Sequence, residues 1–391
     1  APGVTGTAAN VLVLCMLLMG FSTFAVALLP TYQQVGFLAP VLLMALRLIQ
    51  GFAVAGEISG SSSMILEHSP FGRRGYFGSF TLQGTQFGQI LAAAIFLPLA
   101  TFLSEDAFKS WGWRIPFLLS VFVIVAGYVI RRRVDETPAF TEENKEGAVA
   151  QAPIAVAFKE SGGTILRVFM IQLFNIIAVT TSVFGATYAT NKDYGVGFAA
   201  SVYLWIPILG NICAVAVIPF VGNLSDKIGR RPLIMFATIG CGLLSFAYLW
   251  SISQKNVPLA IFFSLLMWGT VYQGQNAVYP AFYPEQFPTK TRVTGMAIGH
   301  NLGTAGSSAM AFVFPLLAPP GSGNVPLVVG GVTFLICCIA FLGAYLSPET
   351  YRLRAEDLGV PGAQPIPEDE YLRLRQESID RAKAQRTRVA A

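Results

Sequence analysis

Apolar side chains run along this chain in long blocks, at about 10–30, 37–66, 76–103, 113–130, 165–190, 198–221, 232–252, 257–283, 293–318 and 325–346, and polar side chains collect between them. About 20 consecutive apolar residues cross a hydrocarbon core of roughly 30 Å as a helix, whereas a spanning barrel strand needs only about 10 with strict alternation. The blocks therefore predict an all-α membrane protein with ten transmembrane helices, because a helix satisfies its backbone hydrogen bonds within itself. The first block has no basic residue before it and further spans follow, so it is read as a retained span and not as a secretory signal.

Composition supports this reading: 54% of the residues are hydrophobic and 12% charged, where a soluble domain carries roughly a quarter charged residues. The net charge of +5 points to topology and not to nucleic acid, because the cations segregate by loop. Arg73, Arg74, Arg131 to Arg133, Lys145, Lys159, Lys227, Arg230, Arg231, Lys290 and Arg292 occupy alternate loops, and the loops between hold little beyond Lys109, Lys192 and Lys255. Basic residues accumulate on the cytoplasmic side. The expectation is a multi-pass protein of a bacterial inner (plasma) membrane with both ends of this chain cytoplasmic. The five cysteines lie inside the apolar runs and their number is odd, which argues against a disulfide framework or a metal site.

A faint repeat runs through the chain. Shifting it by 218 places superimposes Pro40 on Pro258, Gly51 on Gly269, Glu67 on Glu285, Pro70 on Pro288, Arg74 on Arg292 and Gly88 on Gly306, so a loop pattern E-x-x-P-x-x-x-R occurs twice. Two helical bundles of one design are the expected cause, as in transporters built from parallel halves. The bundles are placed at 1–130 (four spans) and 165–346 (six spans), with a cytoplasmic linker at 131–164 and a cytoplasmic tail at 347–391. The same shift sends spans 165–190 and 198–221 to positions before residue 1, and sends the basic loop GNLSDKIGRRP at 222–232 onto 4–14, which reads VTGTAANVLVL.

GNLSDKIGRRP resembles the G-x-x-x-D-[RK]-x-G-R-[RK] signature of the major facilitator superfamily, and RLIQG at 47–51 resembles that superfamily's R-x-x-Q-G signature. Within it, AGE at 55–57, GWRIPFLLS at 112–120, DETPAF at 135–140 and FPTKTRVTG at 287–295 look like the metabolite:proton symporter family. The resemblance runs from about 10 to 350. It implies a twelve-helix alternating-access carrier coupled to protons, for organic acids such as citrate and shikimate or zwitterions such as proline and betaine. The first two helices of that pattern are missing here, which implies a start upstream of residue 1 or, failing that, a shortened paralogue. It also implies that Asp226, Arg230, Arg231 and Glu285 form a charged cytoplasmic gate, although the basic members double as positive-inside anchors.

Polar residues inside the spans point the same way. Arg47, Gln50, Glu57, Gln83, Gln86, Gln89, Gln172, Asn175, Asn211, Gln273, Gln275, Asn276, His300 and Asn301 fall in six of the spans, while those at 10–30, 113–130, 232–252 and 325–346 are nearly free of such groups. Groups of this kind converge on a wet interior. Arg47 is read as a substrate-carboxylate or proton-responsive site, against a buried brace. Glu57, about 15 Å further along the same helix by helical rise, is read as a proton coupler, against a packing role beside Gly56 and Gly60. His300 and Asn301 are read as a substrate contact or proton relay, against a neutral structural histidine. Gln83, Gln86, Gln273 and Asn276 are candidate substrate contacts, against interhelical glue.

The tail from 347 onward carries the breaker PIP at 365–367, then EDE opening a helix closed by basic residues, an order that suits the helix dipole. Tyr371, Leu374, Ser378 and Ile379 form a thin apolar seam, so a solvated helix is expected. No nucleophile with a base, metal-spaced His/Cys set or phosphate-cradling loop is apparent, so an enzyme is not expected. The function expected is proton-coupled symport of a small organic acid or zwitterion, by a monomer needing no cofactor beyond the coupling proton. The alternative is a transport-inactive membrane scaffold or sensor.

Overall fold

A computed structural model of the chain describes residues 7–131 and 153–390. The sequence motif at 135–140, Arg132, Arg133, Lys145 and most of the expected linker lie outside the described residues. All regular structure is helical, with no strand among the described residues. The chain forms two compact units, one of residues 1–64 and 88–148, the other of residues 65–87 and 149–391. Residues 65–87, which chain order places in the first bundle, cluster with the second unit.

The first unit holds α1 (Thr7–Ala27), most of α2 (Leu38–His68), the later part of α3 (Arg74–Phe102) and α4 (Ser120–Arg131). Here α1 packs on α4, Gln50 of α2 donates to Thr23 Oγ1 of α1 (2.8 Å), and Arg114 donates to the Leu29 carbonyl (3.1 Å).

The second unit is larger and better filled. Its helices are α5 (Pro153–Gln172), α6 (Ala200–Ile228), α7 (Arg230–Ser253), α8 (Val257–Ser264), α9 (Arg292–Leu317), α10 (Val325–Leu346) and α11 (Glu368–Ala390). The start of α5 takes in residues 153–164 of the expected linker, with a non-helical kink at Ser161. Beyond Gln172 that rod continues to Thr190 through a π-helical stretch (Val179–Phe184), and beyond Ser264 a second rod continues to Glu285 through another (Leu265–Val271). Such interruptions concentrate at working sites in membrane proteins, where side chains re-satisfy the freed backbone. α10 packs along α7, and α9 along α5, with glycines at 299 and 303 lying against Val168 and Gln172. Close approach of small residues is the usual means of helix association in lipid.

Among the described residues seven helices are long and apolar enough to cross a membrane: Leu38–His68, Arg74–Leu99, Ile154–Thr190, Val202–Ile228, Arg230–Ser253, Val257–Glu285 and Val325–Leu346. The runs at 10–30 and 113–130 coincide with the shorter apolar helices Leu14–Ala27 and Gly112–Phe122. The run at 293–318 coincides with α9, whose Gly, Ser, Thr, His and Asn residues dilute its apolar content.

Candidate functional site

The loop GNLSDKIGRRP becomes the end of α6 and the start of α7, separated only by Gly229. Helix ends leave backbone groups without intrahelical partners, and Asp226 and Arg231 of this loop answer such demands. The Asp226 carboxylate accepts the N–H groups of Gly75 (2.9 Å) and Tyr76 (2.8 Å) and so caps the N-terminus of α3, which has no acid in its own first turn. An anion there also complements the helix dipole. Asp226 reaches those groups because α3 and α6 touch at glycine: a Cβ on Gly222 would sit 2.6 Å from the Ser79 side chain, and one on Gly75 would sit 2.2 Å from Ser225 Oγ. Gly229 has φ +104°, and a Cβ there would meet Glu349 Oε2 at 2.7 Å. That position suits glycine on both counts. The Glu349 carboxylate in turn caps α7, accepting the N–H groups of Arg230 (3.0 Å) and Arg231 (2.9 Å).

Arg230 is the centre of the cluster. Its guanidinium donates to Asp226 Oδ1 (2.8 Å) and Ser225 Oγ (3.1 Å), and forks onto both Glu285 oxygens (3.3 and 3.1 Å). The bidentate geometry is the strong form of this pairing. Glu285 also accepts from Thr350 Oγ1 (2.6 Å) and faces Arg74 at 3.6 Å. Asp226, Arg230 and Glu285 are each at most 1% exposed. A buried carboxylate or guanidinium persists only where its charge is matched and its hydrogen bonds are made, and here two acids meet two bases. Arg231 takes a different part: it donates to the Ala344 and Tyr345 carbonyls and caps the end of α10. Of the four gate residues expected, Asp226, Arg230 and Glu285 share one cluster and Arg231 stands beside it.

The repeat reappears here in three dimensions. Glu67 of the first E-x-x-P-x-x-x-R copy pairs with Arg292 of the second (2.9 Å), while Glu285 of the second pairs with Arg74 of the first. Sequence reasoning found both copies without assigning Glu67 or Arg292 a role. It also missed Glu349, Thr350, Tyr371 and Arg375. The signal for Tyr371 was its place in the thin seam on α11, which did not include Arg375, and the expectation of a solvated helix is corrected at its first turns. Tyr371 is 1% exposed, and its hydroxyl donates to the Asp226 carbonyl (2.7 Å), one of the open carbonyls at the end of α6. Burial pushes the Tyr371 hydroxyl pKa up, so that bond does not titrate in the physiological range. Arg375 donates to the Gly72 carbonyl (3.0 Å) and to Asn223 Oδ1 (2.8 Å).

Deeper in the second unit the amides form a linked network with aromatic rings. Gln172 Nε2 donates to Thr304 Oγ1 (3.2 Å), the Tyr283 hydroxyl to Gln172 Oε1 (2.9 Å), and Gln275 Nε2 to the Tyr283 hydroxyl (2.9 Å). Gln273 donates to the Trp268 carbonyl (2.7 Å), which lies in the π-helical stretch, and accepts from Asn276 (2.8 Å). His300 is buried beside Tyr279 and Tyr283, with ring centroids 5.3 and 6.3 Å away, and its Nδ1 has no hydrogen-bond partner among the described residues. Asn301 donates back to the Ala297 carbonyl (2.8 Å). Gln83 donates to the Val215 carbonyl (2.9 Å), a contact between α3 and α6, and Gln86 is buried nearby on α3. In the first unit Arg47 is exposed and donates to Gln50 (3.1 Å), which links it to Thr23, and Glu57 is half-buried on α2.

The Major Facilitator Superfamily profile matches residues 5–311 and, in a second alignment, 168–378. The chain belongs to the Major Facilitator Superfamily. Within the superfamily it is 30% identical over 317 residues to the proline/betaine transporter of Escherichia coli K12, an alignment covering 79% of this chain and 62% of that transporter. It is 25% identical over 352 residues to the shikimate transporter of the same organism, covering 88% and 78% of the two chains. Its fold matches that of the superfamily's proton:xylose symporter XylE, with a TM-score of 0.69 at 18% identity over 88% of this chain and 80% of the other. The chain is thus a multi-pass membrane transport protein of this superfamily and not an enzyme.

Proposed function

We propose that the chain carries out proton-coupled symport of a small organic acid or zwitterionic metabolite across a bacterial inner membrane, as a monomer and without a cofactor. The observation that carries the reading is the buried cluster of Asp226, Arg230, Glu285 and Arg74 at helix ends. A compact set of charges that is satisfied in one arrangement is a device for holding one side of a pathway shut, as alternating access requires.

Relatives named for proline, betaine and shikimate support this substrate class. The network of Gln172, Gln273, Gln275, Asn276 and Tyr283, with Gln83, Gln86, His300 and Asn301, supplies amides, hydroxyls and an imidazole suited to a polar solute. Most of their hydrogen bonds are internal, so the network holds its own shape and leaves few groups, His300 Nδ1 and Gln86 Oε1 among them, to meet a ligand. Arg47 is the cation suited to a carboxylate, and Glu57 the acid suited to carry the proton.

Uptake of labelled proline, glycine betaine or shikimate into proteoliposomes under an inward proton gradient tests this. Accumulation should collapse with a protonophore and in Arg47→Ala. Glu57→Gln should lose accumulation yet keep substrate exchange. Accumulation that is indifferent to the protonophore would refute proton coupling. Absence of transport for every metabolite tried would favour the scaffold alternative.

A further inference from the structure

We propose that the C-terminal helix is a working part of the cytoplasmic gate, with Tyr371 and Arg375 as positioning residues that hold two gate loops together when that side is closed. This rests on reading the cluster around Arg230 as a gate.

Two segments must separate for the gate to open: the loop leading into α3, which contains Gly72 and Arg74, and the end of α6, which contains Asn223 and Asp226. The first turns of α11 hold both. Arg375 donates with Nε to the Gly72 carbonyl and with Nη2 to Asn223 Oδ1, so one guanidinium bridges the two segments. One turn earlier, Tyr371 donates to the Asp226 carbonyl and sets its ring edge-on to Phe71, with centroids 5.6 Å apart. The planar fork of arginine suits two fixed acceptors in a way a lysine ammonium does not. These acceptors are adjacent here, where Asp226 caps α3.

The fit is specific on the loop side. Gly72 has φ +71°, and a Cβ there would lie 2.7 Å from the Arg375 side chain. The segment connecting α10 to α11 is threaded through the same region: the Leu353 carbonyl accepts from Arg74 (3.1 Å), and Leu353 and Leu358 pack on Leu66. By contrast Gln376, Glu377 and Asp380 of α11 are exposed. The hydrogen bonds from α11 to these loops lie in its first turns, and moving α3 away from α6 must strip Arg375 from one acceptor or undock the helix. Either cost adds to the closed side of the equilibrium.

Ser79 reports the gate directly, because it is fully buried against Gly222 where α3 meets α6. Ser79→Cys would be placed in a full-length chain whose five native cysteines are replaced by alanine or serine. Its labelling by a membrane-impermeant maleimide would then be timed from the cytoplasmic face. Tyr371→Phe, which removes only a hydroxyl, should speed labelling about fivefold, the size expected for one hydrogen bond. Arg375→Ala should exceed that, Arg375→Lys should fall between Ala and the parent, and truncation after Pro367 should give at least about a tenfold increase. If the truncated form does not fold, as judged by gel filtration, the point variants carry the test. Labelling within twofold of the parent in Arg375→Ala and Tyr371→Phe, while Glu285→Ala accelerates it, would overturn the role of α11 and leave the gate standing. Unchanged labelling in Glu285→Ala as well would overturn the gate and the helix's role with it.

Discussion

The two copies of E-x-x-P-x-x-x-R differ in how deeply their charges are held. Glu285 is inaccessible to solvent and meets Arg230 through two oxygens, Arg74 and Thr350. Glu67 has 13% of its side chain exposed, and its Oε1 pairs with Arg292 while its Oε2 has no hydrogen-bond partner among the described residues. The copies also differ at the following helix, because α3 begins under the Asp226 carboxylate whereas Thr291 gives α9 no side-chain cap. The same local pattern therefore fixes which charges pair across the repeat, and the surrounding motif fixes how much each pair matters. A buried acid with several bases loses all of them at once. An acid with one base, and with its second oxygen already without a hydrogen-bond partner among the described residues, has less to lose.

The largest expected effect follows from that difference. Glu285→Ala leaves Arg230 and Arg74 buried with reduced compensation and should cost about 3–5 kcal/mol, the range for removing one partner of a buried pair. Glu67→Ala should cost less than half as much. Thermal melts of the two variants in detergent check the order, and equal losses would show that burial does not separate the copies. A charge exchange sharpens the point. Glu67→Arg with Arg292→Glu should recover most of the stability lost in either single variant. Arg74→Glu with Glu285→Arg should not recover it, because the new arginine would face Arg230. Recovery in both exchanges would mean that the pairs are equivalent and that Arg230 is peripheral.

How far the sequence reveals this arrangement depends on the length scale of the force involved. Helical spans are legible because hydrocarbon imposes one long apolar run per crossing, and the superfamily shows in Gly222, Asp226, Gly229, Arg230 and Arg231 because the residues of one helix junction sit together as a contiguous motif. Glu285 and Arg74 are legible through the repeat. Glu349 and Thr350 are not, since nothing local says that a carboxylate beyond α10 caps α7 over a hundred residues earlier. Tyr371 and Arg375 are hidden for a related reason: the seam containing Tyr371 looks too thin for a helical partner, Arg375 lies outside it, and their actual partners are oxygens of the loop before α3 and of the end of α6. Gln83 and Gln273 illustrate the opposite hazard. Both are polar and both lie in spans, yet each spends its amide on a backbone carbonyl.

The smallest effect belongs to a charge pair in the second copy itself. Lys290 stands two residues before Arg292 and pairs with Glu160 at 3.3 Å, with side chains 44% and 48% exposed. At that exposure water screens the attraction and competes for both groups, so exposed pairs contribute about 0–1 kcal/mol. Lys290→Ala should shift the melting temperature little, and the shift should shrink further on raising the salt towards 1 M, where the Debye length falls to about 3 Å, the separation of the pair. Arg292→Ala, on the same loop but 3% exposed, should shift it more and resist salt. Were Lys290→Ala to match Arg292→Ala, proximity to the repeat motif and not burial would set the cost, and the contrast between Glu67 and Glu285 would need a different cause.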